Sequence, residues 1–393
     1  MNQNIRRLQG FFLAAFLSLL LALIYWQVIR AGNLLSQGEN PRPIIAEQRI
    51  QRGTILTAEA TPLAETAFGS DGLAQRYYPY PAVAPVVGYY SLRYGTSGLE
   101  AVYDAQLRGQ AGHGDLQPAW LADWLHLPQI GDPITVTLNL PGQLAANEAL
   151  IEAEATGTIV VLNARSGEVL VMASQPTFDP NTLETDWESL LAAPAAPLLN
   201  RATQGLFPLG ELARLIGVIG LLEVGARVPP DPLLTPLPDL LAPLGGPGLA
   251  ETAQHLQFGR ELTFTLPTAA ALIPGDLPAK AEELSTTPLH LALVGAAIVQ
   301  DGLAPLPALV YEPSSPPTHI RLMSAATAIR VRAQLTELSA LATPEVTGNE
   351  PLSWYLGLVE GEPPLVVVAV VTRPGAEREA ARMVAEATLK VIE

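Results

Sequence analysis

Residues 11–29, FFLAAFLSLLLALIYWQVI, run for nineteen residues without a charge, a proline or a glycine. As a helix rising about 1.5 Å per residue, this stretch spans roughly 28 Å, the thickness of a bilayer's hydrocarbon core. Tyr25 and Trp26 lie near its C-terminal end, where amphipathic rings favour the membrane interface. Arg6 and Arg7 precede it, so the short N-terminus is expected in the cytoplasm and the rest of the chain outside, although Arg30 on the far side works against that asymmetry. A cleaved signal peptide is the rival reading. It fits less well, because the run is long for a signal core and no small-x-small cleavage site follows it. No other apolar stretch is long and unbroken enough to span. A single-pass protein with about 360 extracytoplasmic residues is expected.

Composition narrows the chemistry. Lys and Arg total 22 against 38 Asp and Glu, a net charge of −16, which repels phosphate backbones and argues against nucleic-acid binding. Cysteine is absent, so disulfides, thiolate catalysis and cysteine-ligated metals are excluded. His113, His126, His255, His290 and His319 are scattered without metal-ligand spacing, and neither a metal nor any other cofactor is expected. Only two lysines exist, Lys280 and Lys390, so any step that needs a lysine must use one of them.

Past a polar linker at 31–48, short β-like runs broken by turn residues extend to Gly109: RGTIL, then RYYPYPAVAPVVGYYS, then YGTSGLEAVYDAQLRG, whose end reads as a capped short helix. Residues 110–133 hold Trp120, Trp124 and His126 among polar residues, a hairpin or loop. ITVTL at 134–138 alternates like a strand end, and Pro141 opens a helix. GTIVVLNARSGEVLVMAS (157–174) is the clearest hairpin, two β-branched runs flanking the turn residues Asn163–Gly167. ELARLIGVIGLLEVG (211–225) and TPLHLALVGAAIVQDG (287–302) read as buried helices, and 226–247 is Pro/Leu-rich without clear periodicity. SAATAIRVRAQLTELSAL (324–341) reads as one amphipathic helix, SWYLGLV and PLVVVAVVT as strands, and the C-terminal stretch as a helix. The pattern predicts an α+β fold, an antiparallel sheet with helices on both faces. The expected divisions are a cytoplasmic tail (1–10), the anchor (11–29), a linker and β-rich pedestal (30–133) and the larger domain (134–393).

The order of these segments resembles a class B penicillin-binding protein from about residue 40 to the C-terminus. The segments are the anchor, RGTIL, RYYP with VVGYYS and GTSGLEAVYDAQLRG, the hairpin running on into QPTFDPN, LLNRATQGLFPLG, TTPLHLALVGAAIVQDG, SWYLGL and PLVVVAVV. The resemblance implies a transpeptidase-like domain on a non-catalytic, dimerisation-like pedestal, anchored in the bacterial plasma membrane, with a role in septal or elongation wall synthesis.

That family's chemistry needs a serine activated by a nearby base. S-x-x-K opens a buried helix, and its i, i+3 spacing places the amine one turn from the hydroxyl. S-x-N adds a second relay, and K-T-G on an edge strand binds the substrate carboxylate and lines the oxyanion site. Here the helix after LFPLG reads ELAR: Glu211 stands at the serine position and Arg214 at the lysine position. A guanidinium stays protonated, so Arg214 cannot serve as a base, and Glu211 cannot form a serine ester. The i, i+3 spacing would let the two salt-bridge across the mouth of the site; a solvated charge pair at a helix start is the plainer alternative. No serine occurs between Ser189 and Ser285, so S-x-N is missing, and the stretch from Glu211 to Gly245 looks trimmed. Before SWYLGL the sequence reads PEVTGNE, and Val346, Thr347 and Gly348 stand for K-T-G with the lysine lost. Ser166, Ser174 and Asp179 are expected in turn, strand and loop-capping roles.

The expected function is therefore a membrane-anchored, non-catalytic scaffold or regulator of peptidoglycan synthesis or cell division. Its partners would be membrane-embedded wall-synthesis or divisome proteins, docking on the anchor and residues 50–110, and a peptidoglycan stem peptide or glycan could occupy a remnant groove without reacting. The alternative is an active serine transpeptidase or carboxypeptidase with relocated residues.

Overall fold

The computed structural model describes residues 2–26, 47–48, 50–70, 72–110, 130–311, 316–334, 337–348 and 350–392. Helix α1 (Asn2–Ile24) carries the apolar run, and its Ile5–Ile24 portion is long and apolar enough to cross a membrane, with no side chain packed inside the protein. Residues 27–29 of the expected anchor and residues 30–46 of the linker lie outside the described residues.

The pedestal is built on β1 (Ile55–Thr57), β2 (Pro62–Phe68), β3 (Ala74–Tyr77) and β4 (Ile134–Val136), in the order β3-β2-β1-β4. Strand β4 runs parallel to β1 with Ile55 opposite Ile134. Residues 134–136, expected in the larger domain, thus belong to the pedestal sheet. Residues 111–129, with Trp120, Trp124 and His126, are outside the described residues. The centre of the pedestal is ionic. Glu100, in the short helix Gly98–Val102, is fully buried and accepts from Arg52 Nε (3.1 Å), Arg52 Nη2 (2.8 Å) and Arg76 Nε (2.6 Å). Arg52 Nη1 also reaches Asp104 at 2.7 Å. Charges removed from water persist only when paired in this way, so the cluster fixes how RGTIL meets GTSGLEAVYD.

In the larger domain, helix α2 (Leu140–Glu152) begins as its sequence predicts: the Asn139 side chain accepts the Gly142 N–H at 2.8 Å and Pro141 sits in the first turn. The hairpin is β5 (Thr156–Asn163) and β6 (Val169–Gln175). In its turn, Asn163 Oδ1 accepts the N–H groups of Arg165 (3.0 Å) and Ser166 (3.3 Å), and Gly167 takes φ +81°. There follow helices α3 (Leu183–Ala192), α4 (Ala213–Glu223), α5 (Pro288–Val299) and α6 (Ala325–Gln334), strands β7 (Glu337–Ala342), β8 (Leu352–Val359) and β9 (Leu365–Thr372), and helix α7 (Ala380–Ile392). The sheet runs β7-β8-β9-β5-β6, with every neighbouring pair antiparallel.

Period-two alternation sorts its faces. Val160, Leu162, Trp354, Val366 and Val368 share a core with α4 and α5, while Ile159, Val161, Val367 and Ala369 face α2 and α7. Gly295 lets α5 lie close on the first face, since a Cβ there would sit 2.6 Å from Val366 Cγ1. This is the α+β architecture that the sequence predicts. One element differs. The expected helix over 324–341 ends at Gln334, and residues 337–342 form the edge strand β7.

Amide side chains join the two domains. Buried Gln143 donates to Ala82 O (3.1 Å) and Met172 O (3.0 Å) and accepts Met172 N–H (2.8 Å). Asn181 satisfies both backbone groups of Tyr78, and Asn200 donates to Pro85 O. Tyr94 stacks on Trp187 of α3 at 4.3 Å.

Candidate functional site

The approach to α4 is tied down from several directions. Phe207 and Pro208 pair with Thr286 and Ser285, and Trp354 on β8 donates its indole N–H to Pro208 O at 2.9 Å. Gly210 has φ +54°, and a Cβ there would lie 2.6 Å from Ala342 Cα. Glycine therefore presses this turn directly onto the edge strand β7. Residues Gly210–Leu212 form one 3-10 turn, and α4 continues from it as a helix buried along most of its length.

Glu211 thus faces β7. Its carboxylate accepts Arg378 Nη2 at 2.6 Å and the backbone N–H of Leu341 at 3.1 Å. Arg378 comes from the segment just before α7, and its Nη1 reaches Ser339 O at 3.4 Å. Arg214 lies one turn beyond Glu211 but does not pair with its carboxylate. Its Nε donates to Glu211 O (2.9 Å), and Nη1 donates to Pro232 O (2.9 Å), Leu233 O (2.8 Å) and Thr235 O (3.3 Å). The expected Glu211–Arg214 bridge is therefore replaced by two separate attachments. The guanidinium is consumed by the carbonyls of the Pro/Leu-rich connection, and the carboxylate finds Arg378 instead. Desolvation by burial pulls the Arg214 guanidinium below its ordinary value and the nearby Glu211 carboxylate opposes it; the group remains a cation and no base.

Val346, Thr347 and Gly348 are not on the edge strand. Pro344–Thr347 is a single helical turn after β7, Gly348 ends it at φ +78°, and Thr347 Oγ1 donates to Glu350 O at 2.8 Å. The expected K-T-G correspondence is corrected on this ground: the strand beside Glu211 is ELSALA, 337–342, and Val346–Gly348 lie in the connection to β8. Lys280 pairs with Glu283 at 3.0 Å, half exposed, and Lys390 is in the last turn of α7. Ser166 donates to Glu168 within the hairpin turn, Ser174 donates to Leu199 O, and Asp179 caps the turn at Asn181.

The cleft between α4 and β7 has a volume of about 210 Å³ and is lined by Glu211, Arg214, Ser339, Arg378, Glu379 and Arg382 among others. A larger cleft of about 470 Å³ lies against the Ser166–Glu168 turn and Phe264, and no residue of ELAR or of β7 lines it. Among the described residues no group of three or more His, Asp and Glu could hold a metal ion.

Residues 52–120 match a family model described as the penicillin binding protein A dimerisation domain, and residues 157–210 match the penicillin binding protein transpeptidase domain. Peptidoglycan D,D-transpeptidase PbpA of Mycolicibacterium smegmatis is 29% identical over 96% of this chain and 95% of its own. PbpA of Mycobacterium tuberculosis is 34% identical over 58% of this chain and 48% of its own. The crystal structure of the M. tuberculosis protein superposes with a TM-score of 0.75 at 22% identity, covering 87% of this chain and 99% of that one. The D,D-transpeptidase domain of a peptidoglycan glycosyltransferase from Eggerthella lenta gives 0.73 at 25% identity, covering 88% and 98%.

The chain has a penicillin-binding-protein transpeptidase-like fold and is similar in sequence to peptidoglycan D,D-transpeptidases of that family. The transpeptidase match ends at Gly210, one residue before Glu211. The alignment with the M. smegmatis relative extends over 476 positions, more than the 393 residues here, so that penicillin-binding protein carries segments with no counterpart in this chain. The sequence did not point to Arg378, Ser339 or the Leu341 N–H. Arg378 is 167 residues from Glu211 and sits in a charged EREAAR run with nothing to mark it. The other two were hidden when β7 read as helix.

Proposed function

We propose that this chain is a membrane-anchored, non-catalytic penicillin-binding protein that serves peptidoglycan synthesis or cell division as a scaffold or regulator. The observation that carries the reading is the side chain at the head of α4. Where acyl transfer needs a hydroxyl with an amine one turn away, Glu211 is paired with Arg378 and Arg214 is fastened to four backbone carbonyls. The similarity to curated peptidoglycan D,D-transpeptidases supports the wall-synthesis setting. The apolar helix α1 supports a single-pass location with the bulk of the chain outside. The partners are membrane-embedded wall-synthesis or divisome proteins. On the pedestal, Phe68 and Tyr77 are half exposed and available to them, whereas Arg52, Arg76 and Glu100 are used internally.

The test is incubation of the full-length protein, in its own membranes, with a fluorescent β-lactam. No covalent label is expected. One observation favours a second reading, an enzyme with relocated residues. Ser339 is the hydroxyl on β7 facing the cleft, and it donates to Glu379 at 3.4 Å. If Ser339 were the nucleophile, with Glu379 taking its proton, a labelled band would appear and vanish in Ser339→Ala. That outcome would overturn the non-catalytic reading.

A further inference from the structure

The cleft of about 470 Å³ beside the hairpin turn shares no lining residue with the cleft at α4. Tyr103 reaches it from the pedestal, Glu168 from the hairpin turn, and Phe264 and Tyr311 from the connections on either side of α5, so an occupant would touch both domains. Its wall is already in place. Ala308 N–H donates to Gly167 O at 2.8 Å, Val169 N–H to Ala308 O at 2.9 Å and Thr137 N–H to Leu309 O at 2.9 Å, which pins residues 308–309 between the hairpin and the end of β4. Glu168 is the one charged group among the described residues that line the cleft. Ser166 Oγ donates to its Oε2 at 2.7 Å and Asn163 Nδ2 to the same oxygen at 3.3 Å, which leaves Oε1 without a donor among the described residues. A carboxylate fixed in this way calls for a cation bearing N–H groups, and the cleft has no lysine or arginine of its own to supply one. The remaining lining is of two kinds. Tyr103, Phe264, Tyr311, Pro316 and Pro317 give flat apolar faces, and the hydroxyls of Tyr311, Thr263 and Thr265 can donate hydrogen bonds. A polyproline helix presents apolar rings and carbonyls with few N–H groups, so aromatic walls and hydroxyl donors are what it needs from a groove.

We propose that this cleft docks a proline-rich segment of a partner protein, with an arginine of that segment on Glu168 Oε1 and its prolines against Tyr103, Phe264 and Tyr311. The chain's net charge of −16 favours any cationic partner at long range. One carboxylate among aromatic walls is more selective, because it favours a cation carried on an apolar, extended backbone. The proposal goes beyond the scaffold reading by giving the chemistry of a partner, and it uses no residue of the α4 cleft.

The experiment is fluorescence anisotropy of a fluorescein-labelled Pro-Pro-Arg-Pro-Pro-Arg-Pro-Pro peptide with the full-length protein in detergent, at about 0.15 M salt to screen long-range attraction. Glu168→Gln, which keeps the side chain's shape and removes its charge, is expected to weaken binding about fivefold, the scale of a partly exposed ion pair. Glutamine in place of the peptide's arginines should cost as much with the parent and nothing further with Glu168→Gln. Alanine in place of the prolines should weaken binding about tenfold, because the extended backbone is then no longer preformed. Tyr311, 51% exposed, gives a second variant: Tyr311→Ala should weaken the proline peptide and leave the alanine peptide unchanged. Absence of binding, equal binding of the proline and alanine peptides, or an affinity that Glu168→Gln leaves unchanged overturns the proposal. β-Lactam labelling would remove the non-catalytic reading and leave this site standing, since the two clefts share no residue.

Discussion

Two arginine–carboxylate clusters in one chain allow burial to be tested against chemistry. Glu100 is fully buried, and Arg52 and Arg76 beside it are 3% exposed. Glu100→Gln keeps the volume but leaves two guanidiniums with one partly exposed carboxylate, Asp104. Arg76 suffers most: its Nη2 already lacks a partner, and its Nε would lose the 2.6 Å bond. Breaking a buried pair by removing one charge costs about 3–5 kcal/mol, a large share of the roughly 5–15 kcal/mol that holds a domain together. Glu211→Gln breaks the same kind of pair at 31% and 51% exposure, where the expected cost is about 0–1 kcal/mol. The assay is urea denaturation of the full-length protein in detergent at pH 7, followed by circular dichroism. The midpoint should fall sharply for Glu100→Gln and barely for Glu211→Gln, at unchanged slope. Raising the salt should erase the small Glu211 effect and leave the large one. Equal losses from the two variants would refute the argument. A Glu100→Gln cost below about 1 kcal/mol would do the same, because the cluster could not then be excluded from water.

His290 and Arg214 give two further predictions. His290 on α5 is buried, with Nε2 2.6 Å from Leu256 O and Nδ1 unpartnered, and desolvation lowers it from 6.5 to about 4, opposed by the Leu256 hydrogen bond. Between those values the unfolded chain binds the extra proton. The stability contribution is therefore complete above about pH 6.5 and is lost as pH falls toward 4, by up to about 3 kcal/mol. Denaturation midpoints measured from pH 7 to 4 should fall less steeply in His290→Asn than in the parent; identical slopes would place the ring in water. Arg214→Ala should cost about 1–2 kcal/mol, since the carbonyls of 232–235 are near the surface and water replaces most of what is lost. Faster proteolysis within 226–236 should accompany it, and Arg214→Lys should restore only part, because one ammonium cannot reproduce the fork.

Much of this was written in the sequence. The N-terminal apolar helix, the hairpin with its Asn163–Gly167 turn, the α2 start at Asn139 and the strands β8 and β9 follow from periodicity and cap chemistry alone. The edge strand did not. ELSALA is composed of good helix formers and follows a genuine helix, so propensity extended α6 through it. Its alternation, with Leu338, Ala340 and Ala342 buried and Glu337, Ser339 and Leu341 more open, is a period of two over only six residues. That misreading moved the K-T-G correspondence onto Val346–Gly348, the next segment with a Thr-Gly pair. The partners of Glu211 were out of reach for a different reason. Adjacency to Arg378 is created by the sheet's closing strands and the turn into α7, and no local pattern encodes it.

The separation of core from cleft makes the fold independent of the chemistry at position 211. The central strand β9 is buried from Leu365 to Val371, and α5 from Pro288 to Ile298. These elements hold the sheet whatever stands at position 211. Glu211 and Arg378 are peripheral and weakly coupled to that core, so exchanging their chemistry alters stability by little. Glycine at 210 is different. Its φ of +54° and its 2.6 Å approach to β7 are set by packing, and they hold the turn against the strand for any side chain that follows. The geometry of the cleft is thus a property of the scaffold, and its charge a property of exposed side chains such as Glu211 and Arg378. A chain built this way can change the residue at position 211 without losing the sheet or the pedestal.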